Sequence, residues 1–299
     1  MSFSPDVLLI GAQKAGTTTL AYLLSQHPEL CVSEPKEPHF FTRNNNKGLA
    51  WYQERFANPD AICIDASVTN TQALLSNNDK SSHAVKCLQN VPERVYLSNP
   101  KAKFIYLLRE PVERTYSAYW FRVELNFEFR SFAEALKADS VYVDTSDYYG
   151  QLRLWLEYFP IESFLFVLFD DLRKNPHQVV KQCCEFLGVD PNHPIQPNIK
   201  NKSIRYTYAG RKINKFFHEL DKRELGFVAP NIFRKTIQSL TIDRNSYPPI
   251  PEAERLFLQE YFAERNSKLE QITGLSLSKW QVNKPKLNHI PNLVATVNN

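Results

Sequence analysis

The sequence predicts an α/β protein, a parallel β-sheet flanked by helices on both faces, and three observations carry that prediction. Four short apolar runs, VLLI at 7–10, AICI at 61–64, FIYLL at 104–108 and FLFVLF at 164–169, are continuous rather than alternating. Continuous runs are the mark of strands covered on both faces. Segments with helical spacing lie between them, and strand–helix alternation builds parallel sheets. Finally, Gly11 and Gly16 bracket a turn between the first strand and the first helix.

The bulk properties suit that class. A chain of 299 residues with 43% hydrophobic and 23% charged residues buries a full core, and composition is that of a globular protein. No repeat or low-complexity linker divides it, so 1–299 reads as a single domain with an irregular tail from about 284. A net charge of +4 is too small for a nucleic-acid binder and compatible with an anionic cofactor or substrate. Cys31, Cys63, Cys87, Cys183 and Cys184 show no metal spacing, and their odd number favours reduced, mostly buried thiols. No signal peptide, membrane-spanning run or lipidation motif is visible, which reads as a cytoplasmic chain without membrane insertion.

The elements follow in order. Val7–Ile10 is the first strand, and Thr17–Gln26, with Leu20, Leu23 and Leu24 on one side, the first helix. A strand, a glycine-bracketed loop and a helix N-terminus together make an anion site, because unpaired N–H groups and the helix dipole converge there. His27-Pro28 ends the helix. Pro35 and Pro38 then hold an extended loop that carries Lys36, Glu37 and His39. Asn44–Gly48 is a polar loop, and Ala61–Asp65 a second strand. Lys103–Leu108 is the clearest strand. It ends in Arg109 and meets Pro111, a first-turn residue for the helix Val112–Phe121. A charge at the C-terminal edge of a parallel strand is where ligands sit in open α/β sheets. Helices at Ser131–Lys137 and Tyr148–Phe159, a strand at Phe164–Phe169 and a helix at Pro176–Leu187 follow. Asp190–Tyr208 is a polar, proline-punctuated loop, and Ile250–Thr273 a long terminal helix.

The loop Gly11-Ala-Gln13-Lys14-Ala15-Gly16-Thr17-Thr18 is near the nucleotide phosphate pattern G-x-x-x-x-G-K-[ST]. Thr17 stands where that pattern has lysine, and the lysine lies inside the loop at Lys14. An ordinary strand-to-helix turn with two glycines would look the same. A nucleotide kinase needs lysine on the β/γ-phosphates and a hydroxyl on Mg²⁺, so the departure counts against that alternative. A phosphosulfate carries less charge, and a lysine with hydroxyls neutralises it with no metal required.

Three blocks then resemble the PAPS-dependent sulfotransferases, nearest the Golgi heparan sulfate type and its bacterial relatives. PAPS is adenosine 3′-phosphate 5′-phosphosulfate, and PAP the product left after transfer. Gln13-Lys14-Ala15-Gly16-Thr17-Thr18 resembles the 5′-phosphosulfate loop. Arg109 with Ser117, eight residues on, is similar to the 3′-phosphate motif. Lys36-Glu37-Pro38-His39-Phe40-Phe41 resembles the loop with the catalytic glutamate. Similarity at 91–96, 148–159 and 256–280 brings the resemblance to well over half the chain.

The resemblance implies a P-loop nucleotide-kinase-like sulfotransferase fold and in-line transfer of a sulfuryl group from PAPS to an acceptor hydroxyl or amine. It makes Glu37 the base, and it puts Lys14 on the bridging oxygen and sulfuryl group. His39 is a second acceptor contact or an orienter of Glu37, and Lys36 a surface charge. Three departures accompany it. Ala66 replaces a substrate-contacting lysine, no cysteines flank 200–245 to form a capping disulfide, and Arg244 is the basic residue expected over the cofactor. An inactive nucleotide-binding relative is the non-enzymatic alternative, and the intact Lys14, Glu37, Arg109 and Ser117 set speaks against it. The acceptor, a glycan, glycolipid or small hydroxylated metabolite, is expected against Phe40, Phe41, Trp120, Phe121 and Tyr148. That aromatic set favours a neutral or partly apolar compound. Neither the acceptor nor an oligomeric state is specified further.

Overall fold

The computed structural model describes residues 3–76, 86–196 and 247–280, with 213, 217, 236, 237 and 240. Arg244, most of the polar segment after Asp190 and the tail from 284 lie outside the described residues.

Five strands, β1 (Val7–Gly11), β2 (Leu30–Val32), β3 (Ile62–Asp65), β4 (Lys103–Leu108) and β5 (Phe164–Leu168), form a parallel sheet in the order β2-β3-β1-β4-β5. The register pairs Val7 with Ile64 on one side of β1 and Leu8 with Phe104 on the other. Every residue of β1 is buried, as are five of the six in β4, which requires cover on both faces. The helices supply it: α1 (Thr17–Leu24), α2 (Gly48–Gln53), α3 (Val91–Ser98), α4 (Pro111–Glu124), α5 (Phe132–Ala138), α6 (Val141–Asp144), α7 (Tyr148–Leu156), α8 (Phe169–Lys174), α9 (Pro176–Leu187) and α10 (Glu252–Thr273).

Two differences from the sequence reading matter. The strand read as the second, at 61–65, is the third, because β2 lies between. And α1 ends at Leu24, two residues early, before the turn that leads to β2.

The strand order fixes where a ligand can sit. From β1 the chain crosses to the β2–β3 side, then to β4 on the opposite flank of β1. Loops leaving β1 and β4 therefore diverge, and the crevice at their C-terminal ends is open. All five cysteines are free and four are buried. Among the described residues, no helix is long and apolar enough to cross a membrane.

Candidate active site

The loop after β1 is shaped by two glycines that no other residue could replace without movement. Gly11 has φ 152°, and a Cβ there would stand 2.3 Å from Thr71 Oγ1, which donates to Ile10 O at 2.7 Å. Gly16 has φ 92°, and a Cβ would meet Phe169 at 3.1 Å and Leu172 at 3.2 Å. Positive φ is open to glycine at no steric cost. Between them Lys14 also takes a left-handed turn, φ 70°, and Ala12 N–H donates to Leu107 O at 2.7 Å, pinning the loop to the end of β4. Gly16 gives α1 no side-chain cap, and the N-terminus of a helix favours an anion.

Lys14 turns inward. Its Nζ lies 4.5 Å from the centroid of the Phe121 ring on α4, and burial, then repulsion from Arg109, lowers its pKa. Arg109 follows β4. Its Nη1 donates to Lys14 O at 3.2 Å, its guanidinium stacks 5.2 Å from the Phe169 ring, and Nη2 is 3.9 Å from Glu113 Oε2. Phe169 thus supports both the loop glycine and the arginine. Ser117 is one helical turn beyond Glu113 and on the same face of α4, half-buried. The spacing that singled out Arg109 and Ser117 therefore puts them along one side of a helix whose start is capped by the Glu110 carboxylate and Pro111.

The proline-bounded loop runs over the start of α1. Lys36 Nζ donates to Glu37 Oε1 at 2.7 Å and to Thr17 Oγ1 at 3.5 Å. Lys36 is therefore no surface charge: 20% of its side chain is exposed, and it joins the glutamate to the anion loop. His39 Nε2 lies 3.9 Å from Glu37 Oε2, while Nδ1 pairs with Thr69 Oγ1 at 2.9 Å. Burial lowers the His39 pKa and outweighs the upward pull of Glu37. The backbone of this loop hangs on the end of β3, since Ala66 N–H donates to Lys36 O at 3.3 Å and His39 N–H to Ser67 Oγ at 3.0 Å. Ala66 itself is fully buried.

Gln13, Glu37 and His39 line a cleft of about 400 Å³ that continues along α4. Its far walls correct the expected acceptor surface. Phe40, Phe41 and Tyr148 are core side chains, and Trp120 stacks on Tyr247 at 4.8 Å. Of the five aromatics only Phe121 lines the cleft, together with Arg43, Arg114 and Arg122. A second cation went unread in the sequence: Arg255 of α10 is 3.5 Å from Glu113 Oε1, beside Arg109.

A strand–loop–helix anion cradle, an arginine at the neighbouring strand end and a carboxylate facing an open cleft define an α/β protein built to handle an anionic ligand. The comparisons narrow that class. The sulfotransferase domain model matches residues 4–227. Mouse bifunctional heparan sulfate N-deacetylase/N-sulfotransferase 3 is 28% identical over 300 residues, covering 92% of this chain and 31% of that protein. Mouse heparan sulfate glucosamine 3-O-sulfotransferase 5 is 28% identical over 290 residues, covering 92% and 73%. The chain thus spans 31% of the length of the first of these relatives. A sulfotransferase crystal structure from Alicyclobacillus acidocaldarius shares the fold, with TM-score 0.66 at 22% identity, covering 93% of this chain and 98% of that one. The chain belongs to the sulfotransferase family.

Proposed function

We propose that the donor is PAPS and that the sulfuryl group passes in line to a hydroxyl held in the cleft beside Glu37, releasing PAP. The observation that carries this is the Thr17–Lys36–Glu37 contact, which joins the anion loop to a carboxylate on the cleft wall. The 5′-phosphosulfate is assigned to the backbone of 13–18 with Lys14, Thr17 and Thr18. The 3′-phosphate is assigned to Arg109 and Ser117, where a planar guanidinium suits a phosphate. Arg255, which shares Glu113 with Arg109, is a described cation that could take the capping role expected of Arg244. Glu37 accepts the acceptor's proton. His39, held neutral by burial, offers a hydrogen bond rather than a charge and orients Glu37 or the acceptor. Lys14 and Lys36 stabilise charge on the bridging oxygen and the sulfuryl oxygens as it builds, the electrostatic share of a transfer governed by positioning.

The similar proteins are named for N- and for 3-O-sulfation, and a carboxylate base serves a hydroxyl or an amine acceptor. Incubation of the chain with PAPS and a panel of sugars, lipids and alcohols, read by mass spectrometry, tests the proposal. A sulfuryl mass shift with matching PAP release, unchanged by EDTA, is expected. Absence of PAP formation with every acceptor, or loss of transfer on chelation, refutes it.

A further inference from the structure

His39 is held from behind by two buried hydroxyls. Its Nδ1 lies 2.9 Å from Thr69 Oγ1, and Thr69 Oγ1 lies 3.1 Å from Thr42 Oγ1. Thr42 is 3% exposed and Thr69 4%, so these groups find their partners within the chain. Each hydroxyl has one proton to give, and a neutral imidazole has one N–H and one bare nitrogen. The series of three can therefore run in one of two directions. In the first, Thr42 donates to Thr69 and Thr69 to Nδ1, which leaves the ring proton on Nε2. In the second, Nδ1–H donates to Thr69 and Thr69 to Thr42, which leaves Nε2 bare.

Two observations choose the first direction. The Nε2 edge faces the carboxylate, 3.9 Å from Glu37 Oε2. An N–H pointing there is attracted, whereas a lone pair would meet a second acceptor. The second direction also needs the Thr42 hydroxyl to end on His39 O, which it reaches at 3.2 Å. That carbonyl already accepts Thr42 N–H at 3.2 Å and Asn44 N–H at 3.0 Å, one for each of its two lone pairs. The ring itself stays neutral. Burial, joined by Arg43 and Lys36, lowers its pKa against the upward pull of Glu37.

We propose that Thr69 is a positioning residue of the transfer: its hydroxyl donates to His39 Nδ1 and holds the ring as the Nε2–H tautomer, a hydrogen-bond donor at the cleft wall. With no bare nitrogen toward the cleft, neutral His39 does not take the acceptor's proton, which is left to Glu37. The 3.9 Å gap between Nε2 and Oε2 is too long for a direct hydrogen bond and admits the acceptor's oxygen. That oxygen gives its proton to Glu37 and accepts Nε2–H with one lone pair, while the other attacks sulfur. The new O–S bond forms as the bond from sulfur to the bridging oxygen of PAP breaks. The inference rests on the proposed transfer for Glu37 as base, whereas the tautomer is read without turnover.

The test is long-range proton–nitrogen NMR of the full chain at neutral pH with isotope-labelled histidine, the His39 signals being those lost in His39→Gln. Nε2 is expected as a protonated, pyrrole-type nitrogen and Nδ1 as a bare, imine-type one. Thr69→Val keeps the shape and removes the hydroxyl. Its Nδ1 signal should move further downfield as the hydrogen bond is lost, and Thr69→Ser should bring it back. On the acceptor found by the mass-shift screen, Thr69→Val should lose turnover by about 3- to 10-fold, the range of one neutral hydrogen bond. PAP affinity should be unchanged, and Thr69→Ser should recover most of the turnover. A ring proton on Nδ1, a doubly protonated ring, or an Nδ1 signal that Thr69→Val leaves in place overturns the proposal. Full turnover in Thr69→Val is equally fatal. Should that variant fail to fold, Thr69→Cys, a weaker donor of like size, takes its place with the same expectations. Failure of the transfer itself is distinct: the wild type then releases no PAP while the nitrogen signals stand as stated, which strikes the catalytic role and leaves the tautomer.

Discussion

Lys36 joins the two halves of the site, with Nζ 2.7 Å from Glu37 and 3.5 Å from Thr17. Lys14 and Lys36 differ in what they face. Lys14 sits over an aromatic ring near Arg109, and burial and that arginine both favour its neutral form. Its charged form is therefore lost at a lower pH than for an ordinary lysine. If that charge is needed in transfer, the alkaline limb of kcat/KM falls below the usual lysine range. It should move upward in Lys14→Arg, whose guanidinium keeps its proton; an unmoved limb rules this lysine out as its source. The split between the cofactor's ends is tested on the same proteins. Arg109→Ala should weaken PAP binding by about 1.5–3 kcal/mol. Lys14→Ala should reduce turnover more than PAP affinity, because PAP lacks the group the lysine stabilises. The reverse order means the two ends are exchanged. Arg109, Ser117, Lys14 and Glu37 were legible because short-range patterns carry them. Lys36, Thr69 and Arg255 were not, because their meaning lies in contacts with residues far along the chain.

At the scale of elements, the glutamate loop is held by a buried relay at the end of β3. Tyr52 of α2 donates to Asp65 Oδ2 at 2.5 Å, Asp65 Oδ1 accepts from Ser67 N–H at 2.8 Å, and Ser67 Oγ accepts from His39 N–H. Tyr52 also stacks on Phe40 at 4.1 Å, centroid to centroid, so Phe40 acts as a brace rather than an acceptor wall. Tyr52→Phe keeps the stack and leaves a buried carboxylate oxygen short of a partner. A loss of about 1–3 kcal/mol in chemical denaturation is expected, with PAP affinity retained, since the relay does not touch the loop at 11–16. Unchanged stability would show that Asp65 finds another donor. The long apolar runs were read correctly as strands, and Gly11 and Gly16 as the ends of a turn. β2 escaped because Leu30–Val32 is three residues between a His-Pro turn and a proline loop, too short for any period to register. The short helices α2, α6 and α8, of 6, 4 and 6 residues, escaped for the same reason.

For the molecule as a whole, the sheet order β2-β3-β1-β4-β5 gathers four separate stretches, 11–18, 36–39, 65–71 and 109–117, at the C-terminal edge of the strands. A ligand that joins the loop after β1 to the arginine after β4 fixes two neighbouring strand ends at once. PAP should therefore stabilise the native chain by RT ln(1 + [L]/Kd), on the order of 3 kcal/mol at a hundredfold excess over Kd. ATP, without a 3′-phosphate for Arg109 and Ser117, should give a far smaller thermal shift, and equal shifts would remove the cofactor assignment. The chemistry itself is tested most directly at Glu37, by measuring turnover and PAP affinity of Glu37→Gln and wild type on the acceptor found by the mass-shift screen. The substitution keeps the side chain's shape and removes its proton acceptor. Normal folding, wild-type PAP affinity and a loss of turnover of about 10²–10⁴-fold are predicted. Near-normal turnover in Glu37→Gln, with His39→Ala inactive, would contradict the glutamate as base and give that role to the histidine.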